Sequence, residues 1–600
     1  METWKTNLDE TKKRYIDWWN HKGIILNMWE HFQEGVKPHA DIPAPSPAKD
    51  LNQKWFDPQW RAEYLDWYVA HSSLKADILP VANTQLGPGS LAAILGGVFE
   101  GGEDTIWIHP DPDFNDEIVF NPEHPNWILH KELLKACKAK ANGHYYVGMP
   151  DLMEGLDVLA ALKGTDKVLL DTVMQPEVLE QQMQQINDIY FKVFDELYDI
   201  IREGDEMAFC YFSSWAPGKM SKLQSDISTM ISEDDYRRFV QPFIREQCQK
   251  IDYTLYHLDG VGAMHHLPAL LEIEELNAIQ WTPGVGEPQG GSPKWYDLYK
   301  KILAGGKSIM ACWVTLDELK PLLDNIGADG VHLEMDFHNE REVEQAMRIV
   351  EEYSSSSSDV SKEDLLKEEA AATKQETIVV KDSAAAGNEA LKPLFNAIVD
   401  GKLEPAIEVT KKAIAEGVQP QEIINNYMIK AMGEVGQRFQ DGKAFVPQLL
   451  MAGRAMKGAL ELLKPLLQGN ASTTIGKVVI GTVKGDLHDI GKNLVASMLE
   501  GCGFEVINIG IDVSCDKFVE EVKKNKADIL CMSALLTTTM TYMQEVINAL
   551  EAAGIRHQVK VMIGGAPVSQ GFADEIGADG YSDNANTAVA VAKELMGLHK

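Results

Sequence analysis

The sequence has few cysteines and none of the close pairs that build disulfide or metal frameworks. Its 600 residues contain 7 cysteines: Cys137, Cys210, Cys248, Cys312, Cys502, Cys515 and Cys531. No two of them are spaced as Cys-x-x-Cys. This scatter argues against a disulfide scaffold, a zinc finger and an iron-sulfur ligand set, and it favours reduced thiols in a cytoplasmic protein.

Long apolar runs and an excess of positive charge are also missing. No uninterrupted apolar stretch of about 18 residues occurs, and the first residues lack the apolar core of a signal peptide. We therefore expect no membrane segment. The formal net charge of -34 at pH 7 repels phosphate backbones and anionic lipids, which argues against a nucleic-acid partner. A neutral or cationic small molecule fits this surface better as a substrate.

The chain is too long for one hydrophobic core, because single cores stop growing at about 250–300 residues. Serines occupy every position of residues 354–358, and they start a Lys-, Glu- and Ala-rich stretch that cannot bury much apolar surface. We predict that residues 354–387 form a flexible linker between residues 1–353 and the rest of the chain.

Residues 1–353 alternate apolar strand-like runs with amphipathic stretches, which indicates an α/β unit of the (β/α)8 barrel type. All 13 tryptophans, from Trp4 to Trp313, belong to this part of the chain. Two interpretations stay open for them, packing in the core and loops or an aromatic-lined ligand pocket.

After the linker the pattern changes twice. Residues 388–470 have helical periodicity and few strand formers, and they predict a four-helix cap. In residues 471–600 strands and helices alternate regularly. This alternation predicts an open, doubly wound (flavodoxin-like) parallel sheet, with ligands at the carboxyl ends of its strands. The predicted fold class is α/β throughout.

Three short segments stand where such a sheet binds ligands. They are Asp486-x-His488-x-x-Gly491 after the first strand, Ser533-Ala-Leu-Leu-Thr537 after the third, and Gly564-Gly565-Ala-Pro after the fourth. An imidazole can ligate a metal through one nitrogen while a carboxylate holds the other. With the helical cap before them, these segments make residues 390–600 resemble the cobalamin-binding domain shared by methionine synthase and the methanol and methylamine corrinoid proteins.

The resemblance implies cobalamin as cofactor, with His488 as the lower axial ligand of its cobalt. Asp486 is then expected to hold the other imidazole nitrogen, and the hydroxyl of Thr539 to complete this relay where the family often has serine. Phe445 and Leu449 in the cap are candidates to shield the upper face of the cobalt, although a packing role for them stays open. The residues implied to line the slot for the nucleotide tail are Gly491, Ser533, Thr537, Gly564 and Gly565.

A second set of segments recurs in order along residues 20–353. They are Val147-Gly-Met-Pro-Asp151, Leu162-Lys-Gly164, Met174-Gln-Pro-Glu177, Ile231-Ser-Glu-Asp-Asp-Tyr236, His257-Leu-Asp-Gly260 and Gly327-Ala-Asp-Gly330. Together they resemble, more loosely, the uroporphyrinogen decarboxylase superfamily, which includes barrel methyltransferases that work with corrinoid proteins. A barrel ahead of a corrinoid domain is similar to the arrangement in chloromethane methyltransferases.

His257-x-Asp259 occupies the place where thiol-using members of this superfamily have a His-x-Cys zinc pair. Two residues apart on a strand, the two side chains project to the same side and can share a ligand. Because the soft thiolate is missing, zinc binding with Glu334 or His332 as a third ligand and direct acid-base or substrate contact both stay open. Further polar candidates at the predicted barrel mouth are Glu30, His31 and Asp151.

Both resemblances imply a corrinoid-dependent methyltransferase. The barrel is expected to bind a small methyl donor, such as a methyl halide, a methoxy compound or a methylamine, and to pass the methyl group to Co(I) cobalamin. The expected partners are a methyltransferase that passes it on to tetrahydrofolate or a thiol, and a reductive activator of the corrinoid. Transfer from methyl-cobalamin to a thiol in the barrel is an alternative, and a cobalamin-binding sensor is a remote one.

Replacing His488 by alanine tests the expected axial ligand. We expect His488→Ala protein supplied with cobalamin to lose imidazole coordination, because no other side chain of the segment offers a strong nitrogen ligand. The electron paramagnetic resonance spectrum of the Co(II) form reports this nitrogen. Unchanged nitrogen coupling in the variant would rule out His488, and His557→Ala in the same predicted domain is the control.

Overall fold

The computed structural model describes residues 3–102, 105–111, 114–284, 286–355, 391–467, 475–486, 490–534, 537–565, 568–582 and 585–598. The chain divides into two compact units, Met1–Thr377 and Ile378–Lys600. The predicted linker lies outside the described residues, except that its first two residues end the helix Glu340–Ser355. The predicted bounds of the four segments, 1–353, 354–387, 388–470 and 471–600, therefore stay predictions. In the described ranges no helix is both long and apolar enough to cross a membrane.

The first unit alternates short strands with helices, as the sequence pattern predicted. Its described strands are Ile24–Met28 (β1), Val81–Ala82 (β2), Val98–Gly101 (β3), Ile106–His109 (β4), Tyr146–Met149 (β5), Met207–Phe209 (β6), Ser214–Ala216 (β7), Met220–Gln224 (β8), Tyr253–Asp259 (β9), Ala278–Thr282 (β10), Ser308–Val314 (β11) and Val331–Met335 (β12). Its described α-helices are Leu8–Trp19, Leu51–Phe56, Pro58–His71, Ser90–Ile94, Pro125–Ala141, Gly155–Lys163, Thr165–Met174, Pro176–Ile201, Glu233–Phe239, Gln241–Lys250, Leu267–Leu271, Tyr296–Ala304, Leu316–Ile326 and Glu340–Ser355.

The first unit is built mainly on two sheets. The larger is entirely parallel, with the order β1-β12-β11-β10-β9-β8. The smaller has the order β2-β5-β6-β7, with an antiparallel pair between β6 and β7. Parallel strands with helical connections fit the predicted α/β class. The closure of these strands into a (β/α)8 barrel stays a prediction.

The amino-terminal helix Leu8–Trp19 joins the two sheets through a pair of tryptophans. Trp18 Nε1 donates to the carbonyl of Ile309 in β11 at 3.2 Å, and Trp19 Nε1 donates to the carbonyl of Trp215 in β7 at 3.0 Å. Both indoles are buried, and an unpaired N–H in such a place would cost about 1–3 kcal/mol. Packing therefore accounts for part of the tryptophan content of this unit.

The second unit has a helical part followed by an α/β part. The helices of the first part are Lys392–Val399, Leu403–Ala415, Pro420–Ile423, the π-helical turn Ile424–Met428, Ile429–Gln440 and Val446–Leu463. The strands are Lys477–Thr482 (β13), Glu505–Asn508 (β14), Ile529–Ser533 (β15), Lys560–Gly564 (β16) and Gly580–Ser582 (β17). The remaining helices are Ile490–Gly501, Cys515–Asn525, Thr537–Met540, Tyr542–Ala552, Gln570–Ile576 and Ala585–Leu595.

The second unit is built on one parallel sheet with the order β14-β13-β15-β16-β17. With β13 to β17 renumbered 1 to 5 along the chain, this is the 2-1-3-4-5 order of flavodoxin-like folds, and it confirms the predicted parallel sheet. Alternate residues of a strand face opposite sides. Val478 and Ile480 accordingly join a core with the helical part, while Val479 joins a separate core with Phe518 and Val546 on the other face.

Gly565, directly after β16, offers a test of this packing. Its φ of +129° disfavours any side chain, and a Cβ there would clash with the carbonyl oxygen of Ala534. We expect Gly565→Ala to destabilise the second unit by about 2 kcal/mol or more, from strain and overpacking together. Hydrogen exchange of the β15 and β16 amides would measure the loss.

Gly571→Ala is the matched control for Gly565→Ala. Gly571 lies on an exposed helix, and the nearest atom to an added Cβ is Ser569 Oγ at 3.8 Å. We expect this variant to exchange no faster than the wild type, because alanine favours the helix. Equal exchange rates in both variants would contradict the packing described above.

Candidate functional site

The loops after β13 and β15 lie at the position where the strand order of the second unit reverses. In open α/β sheets, ligands bind in the crevice at this position. Thr539 Oγ1 donates to Asp486 Oδ2 at 2.7 Å, and the two residues are 8% and 0% exposed. The structure therefore brings together two of the three residues of the predicted relay. His488, the third, lies outside the described residues.

The backbone around Asp486 is held on both sides. Its amide donates to the carbonyl of Val483 at 3.1 Å, and its carbonyl accepts from the amide of Asp512 at 3.1 Å. The amide of Gly485 donates to Asp512 Oδ1 at 2.7 Å. These bonds fix the carboxylate of Asp486 before any ligand arrives, which is what a group that orients an imidazole requires.

The predicted slot residues lie at or after the carboxyl ends of the strands, and their surroundings differ from one residue to the next. A Cβ at Gly491, at the start of its helix, would meet no described atom within 4 Å, so the space beside it is open. At Gly564 a Cβ would come 2.9 Å from the carbonyl oxygen of Ser582. Glycine at positions 564 and 565 thus allows neighbouring backbone segments to lie close together. We had expected a different reason, namely that glycine leaves space for the nucleotide tail. Ser533 ends β15.

Three further predicted residues have less distinct surroundings. Leu449 is buried in the core that the helical part shares with the sheet, which favours the packing role left open above. Phe445 is half-buried, and its amide donates to Gln448 Oε1 at 2.9 Å. Thr537 starts the helix Thr537–Met540, and its side chain lies outside the described part of the structure.

In the first unit, Asp226, His257 and Asp259 form a group that could hold a metal ion. One ligand atom from each lies within 4.8 Å of the others. His257 and Asp259 project together from the end of β9, as the sequence predicted, and Asp226 follows the end of the neighbouring strand β8. The carboxyl ends of parallel strands thus assemble three oxygen and nitrogen ligands.

The pKa values of this group are shifted by its position. Burial lowers the pKa of His257 to about 3, and the Lys222 ammonium acts in the same direction. His257 Nδ1 contacts Gln280 Oε1. Because that amide oxygen is an acceptor, Nδ1 carries the proton of the neutral ring, and Nε2 keeps the lone pair that can bind a metal. Burial raises the pKa of Asp259. Asp226 keeps some solvent contact, but the surrounding protein and the neighbouring carboxylates still raise its pKa well above the usual range.

A buried polar network supports the group from behind. Lys222 Nζ lies 2.5 Å from Asp151 Oδ2, and both side chains are almost inaccessible, at 1% and 2% exposed. Gln224 contacts Lys222 Nζ and donates through Nε2 to Asp226 Oδ2 at 2.9 Å. The carboxylate of Asp157 accepts from the amide of Asp226 at 2.8 Å. The network therefore fixes Asp226 at its backbone and at its side chain.

The other predicted polar residues lie elsewhere. Glu334 was proposed as a third ligand, but it is fully buried between His332, at 3.0 Å, and Asn27 Nδ2, at 3.2 Å. Asp226 is the third residue that the structure brings together with His257 and Asp259, and ligation by Glu334 stays a prediction. Glu30 is exposed and lines a separate cavity together with His31.

Sequence reasoning missed Asp226, Lys222 and Gln224. The strand that carries the last two reads Met-Ser-Lys-Leu-Gln, which has too few apolar residues to be recognised as a buried strand. All five of its residues are nevertheless buried. The one available signal was the density of polar residues just before Asp226, and it does not distinguish a buried network from a solvated loop.

The second unit matches known protein families. Two family models, each described as a B12 binding domain, match residues 390–464 and 476–590. The dimethylamine corrinoid protein 1 of Methanosarcina acetivorans is 47% identical over 209 residues, which are 35% of this chain and 98% of that protein. The trimethylamine corrinoid protein 2 of Methanosarcina mazei is 44% identical over 214 residues, with shares of 35% and 98%.

A solved structure gives a weaker match. The methanol:cobalamin methyltransferase complex of Methanosarcina barkeri is 30% identical, covers 38% of this chain and 88% of the matched chain, and has a TM-score of 0.33.

The hydrogen bond between Thr539 and Asp486 can be tested without the cofactor. We expect Thr539→Val, which keeps the shape of the side chain, to destabilise the second unit by about 1–3 kcal/mol, because it leaves a buried carboxylate oxygen without that donor. Thr539→Ser keeps the hydroxyl and should lose less than half as much. Denaturant unfolding of both variants measures the difference, and equal losses would mean that the hydroxyl contributes nothing.

Proposed function

This chain belongs, through its second unit, to the family of corrinoid proteins that includes the dimethylamine and trimethylamine corrinoid proteins, and we propose that it is a corrinoid-dependent methyltransferase. Its cofactor is cobalamin or a related corrinoid. The first unit binds the methyl donor, and the second unit carries the methyl group. The observation that carries this proposal is the Asp226, His257 and Asp259 group at the strand ends of a unit joined to a corrinoid module.

In the second unit, His488 would hold the cobalt, with Asp486 on the other nitrogen of its ring and Thr539 behind Asp486. When bound, the reduced corrinoid supplies the electron pair that accepts the methyl group. The carboxylate of Asp486 would keep the imidazole of His488 in one tautomer and could exchange a proton with it. Thr539, by donating to Asp486 Oδ2 at 2.7 Å, lowers the cost of keeping that carboxylate charged and buried.

In the first unit, Asp226, His257 and Asp259 would hold a divalent cation. The donor set fits, since carboxylate oxygens and a neutral imidazole nitrogen suit zinc and similar ions, and three protein ligands leave a position for a substrate atom. Such a cation supplies Lewis-acid assistance to the heteroatom that loses the methyl group. The carbon–heteroatom bond breaks with its electron pair left on the heteroatom, which then takes up a proton.

The proposal requires two partners for a full cycle. One is a methyltransferase that moves the methyl group from the second unit to tetrahydrofolate or a thiol. The other is a reductive activator that restores the reduced corrinoid after accidental oxidation. Both follow from the proposed chemistry, because the methyl group has to leave the corrinoid in every turnover and because an oxidised corrinoid has lost its nucleophilic electron pair.

Substitutions in the Asp226, His257 and Asp259 group test the proposal. The reduced protein is incubated with methyl halides, methoxyaromatics and methylamines, and methylation is followed in the absorption spectrum of the corrinoid. For the donor that reacts with the wild type, we expect Asp226→Asn, His257→Ala and Asp259→Ala each to slow methylation about 100-fold or more, the usual scale for a lost metal ligand or acid-base group.

Two further measurements make this test specific. Corrinoid binding should be unchanged in all three variants, because it belongs to the other unit, and metal analysis should find about one divalent ion per wild-type chain and less in each variant. Asp234→Asn is the control, since Asp234 is exposed on the first turn of the next helix. Wild-type rates in all three variants would place the reacting centre elsewhere.

A further inference from the structure

The first unit contains a cavity of about 580 Å3 that none of the preceding assignments uses. This volume lies in the range of small-molecule sites, about 300–1,000 Å3. Its walls are strongly aromatic, with six rings contributed by Trp29, Trp55, Trp60, Tyr64, Tyr68 and Tyr211. Flat aromatic faces bind flat ligands by stacking or edge-to-face contact. The cavity therefore has the size and the walls for a planar organic molecule.

A buried cation lies in the wall of this cavity. Arg61 is 7% exposed, and its guanidinium donates to the carbonyls of Gln85 at 2.9 Å and Asn83 at 3.2 Å. In the described ranges no carboxylate forms an ion pair with it. A buried charge without a counter-ion is costly, whereas a guanidinium binds carboxylates well through its several donors. This arrangement favours a ligand with negative charge.

His31 adds an unpartnered polar group to the same cavity. It is 6% exposed, and neither ring nitrogen has a hydrogen-bond partner in the structure. Burial lowers the pKa of His31 to about 4, so the ring is neutral near pH 7 and offers one donor and one acceptor. Unpaired buried polar atoms of this kind are expected where a ligand supplies the missing partner.

Tyr211 connects the cavity to the polar network behind the Asp226, His257 and Asp259 group. Tyr211 lines the cavity and its ring lies 5.5 Å from Lys222 Nζ, in the network behind that group. The carboxylates of Asp151, Asp226 and Asp259 are close enough to raise the pKa of Tyr211, after burial as the main cause. A ligand in the cavity can thus have one end at Arg61 and the other near the proposed reacting centre.

We propose that this cavity binds a methoxylated aromatic carboxylate, with the carboxylate on Arg61, the ring between the aromatic walls and the methoxy group toward Tyr211. Its identity as the methyl donor rests on the proposed function, but its binding does not. The charge of Arg61 disfavours a methylammonium ion, although the relatives named above are methylamine corrinoid proteins. The inference also departs from the neutral or cationic substrate that the net charge suggested, because a local buried charge outweighs a distant surface.

Calorimetric titration of the full-length protein, without reduction of the corrinoid, tests the site. The probes are 4-methoxybenzoate, methoxybenzene and tetramethylammonium. We expect 4-methoxybenzoate to bind most tightly and Arg61→Gln to weaken it about ten-fold or more, the scale of a charge-assisted hydrogen bond. Methoxybenzene should change less than about two-fold in this variant. Arg237→Gln is the control, because Arg237 pairs with Glu233 and Glu272 away from the cavity.

His31→Ala provides a second variant that leaves Arg61 in place, in case Arg61→Gln fails to fold. It should weaken 4-methoxybenzoate by several-fold without lowering the unfolding temperature. Tighter binding of tetramethylammonium, or equal effects of Arg61→Gln on the anion and on methoxybenzene, would overturn the inference. Binding through Arg61 without demethylation would support the site and would refute the role of the bound molecule as methyl donor.

Discussion

The buried ion pair between Lys222 and Asp151 is the interaction on which the site of the first unit depends. A charge as inaccessible as this one is tolerated only with a close partner, and here the partners come from β8 and from the loop after β5. The pair therefore ties one sheet to the other at their carboxyl ends. Gln224 contacts Lys222 and donates to Asp226, so the ion pair helps to set the position of a proposed metal ligand.

Lys222 also controls the electrostatics of the same region. The carboxylates of Asp157, Asp226 and Asp259 lie near this cation, and burial raises the pKa of each of them despite its attraction. Repulsion from neighbouring carboxylates raises the pKa of Asp226 further. A second positive charge would relieve this repulsion. The crowding supports a bound divalent cation, whose charge would stabilise the ionised carboxylates.

In the second unit, the order of the strands determines where the candidate site lies. Because β14 and β15 lie on opposite sides of β13, the loops after β13 and β15 diverge and leave a crevice. Asp486 is buried at this crevice and receives the Thr539 hydroxyl there. Both units thus place the polar groups of their candidate sites at or just after the carboxyl ends of parallel strands.

The sequence by itself determined the parallel sheet of the second unit, the cofactor class and the pairing of His257 with Asp259, because regular alternation, linked motifs and a spacing of two residues are local signals. Only the tertiary structure decided that Asp226 joins that pair, that Glu334 faces Asn27 and His332 instead, and that Arg61 and His31 share one cavity. These residues are distant in sequence. Their burial depends on strands such as β8, whose polar sequence does not identify it as a buried strand. Long-range proximity, not composition, gives them their chemistry.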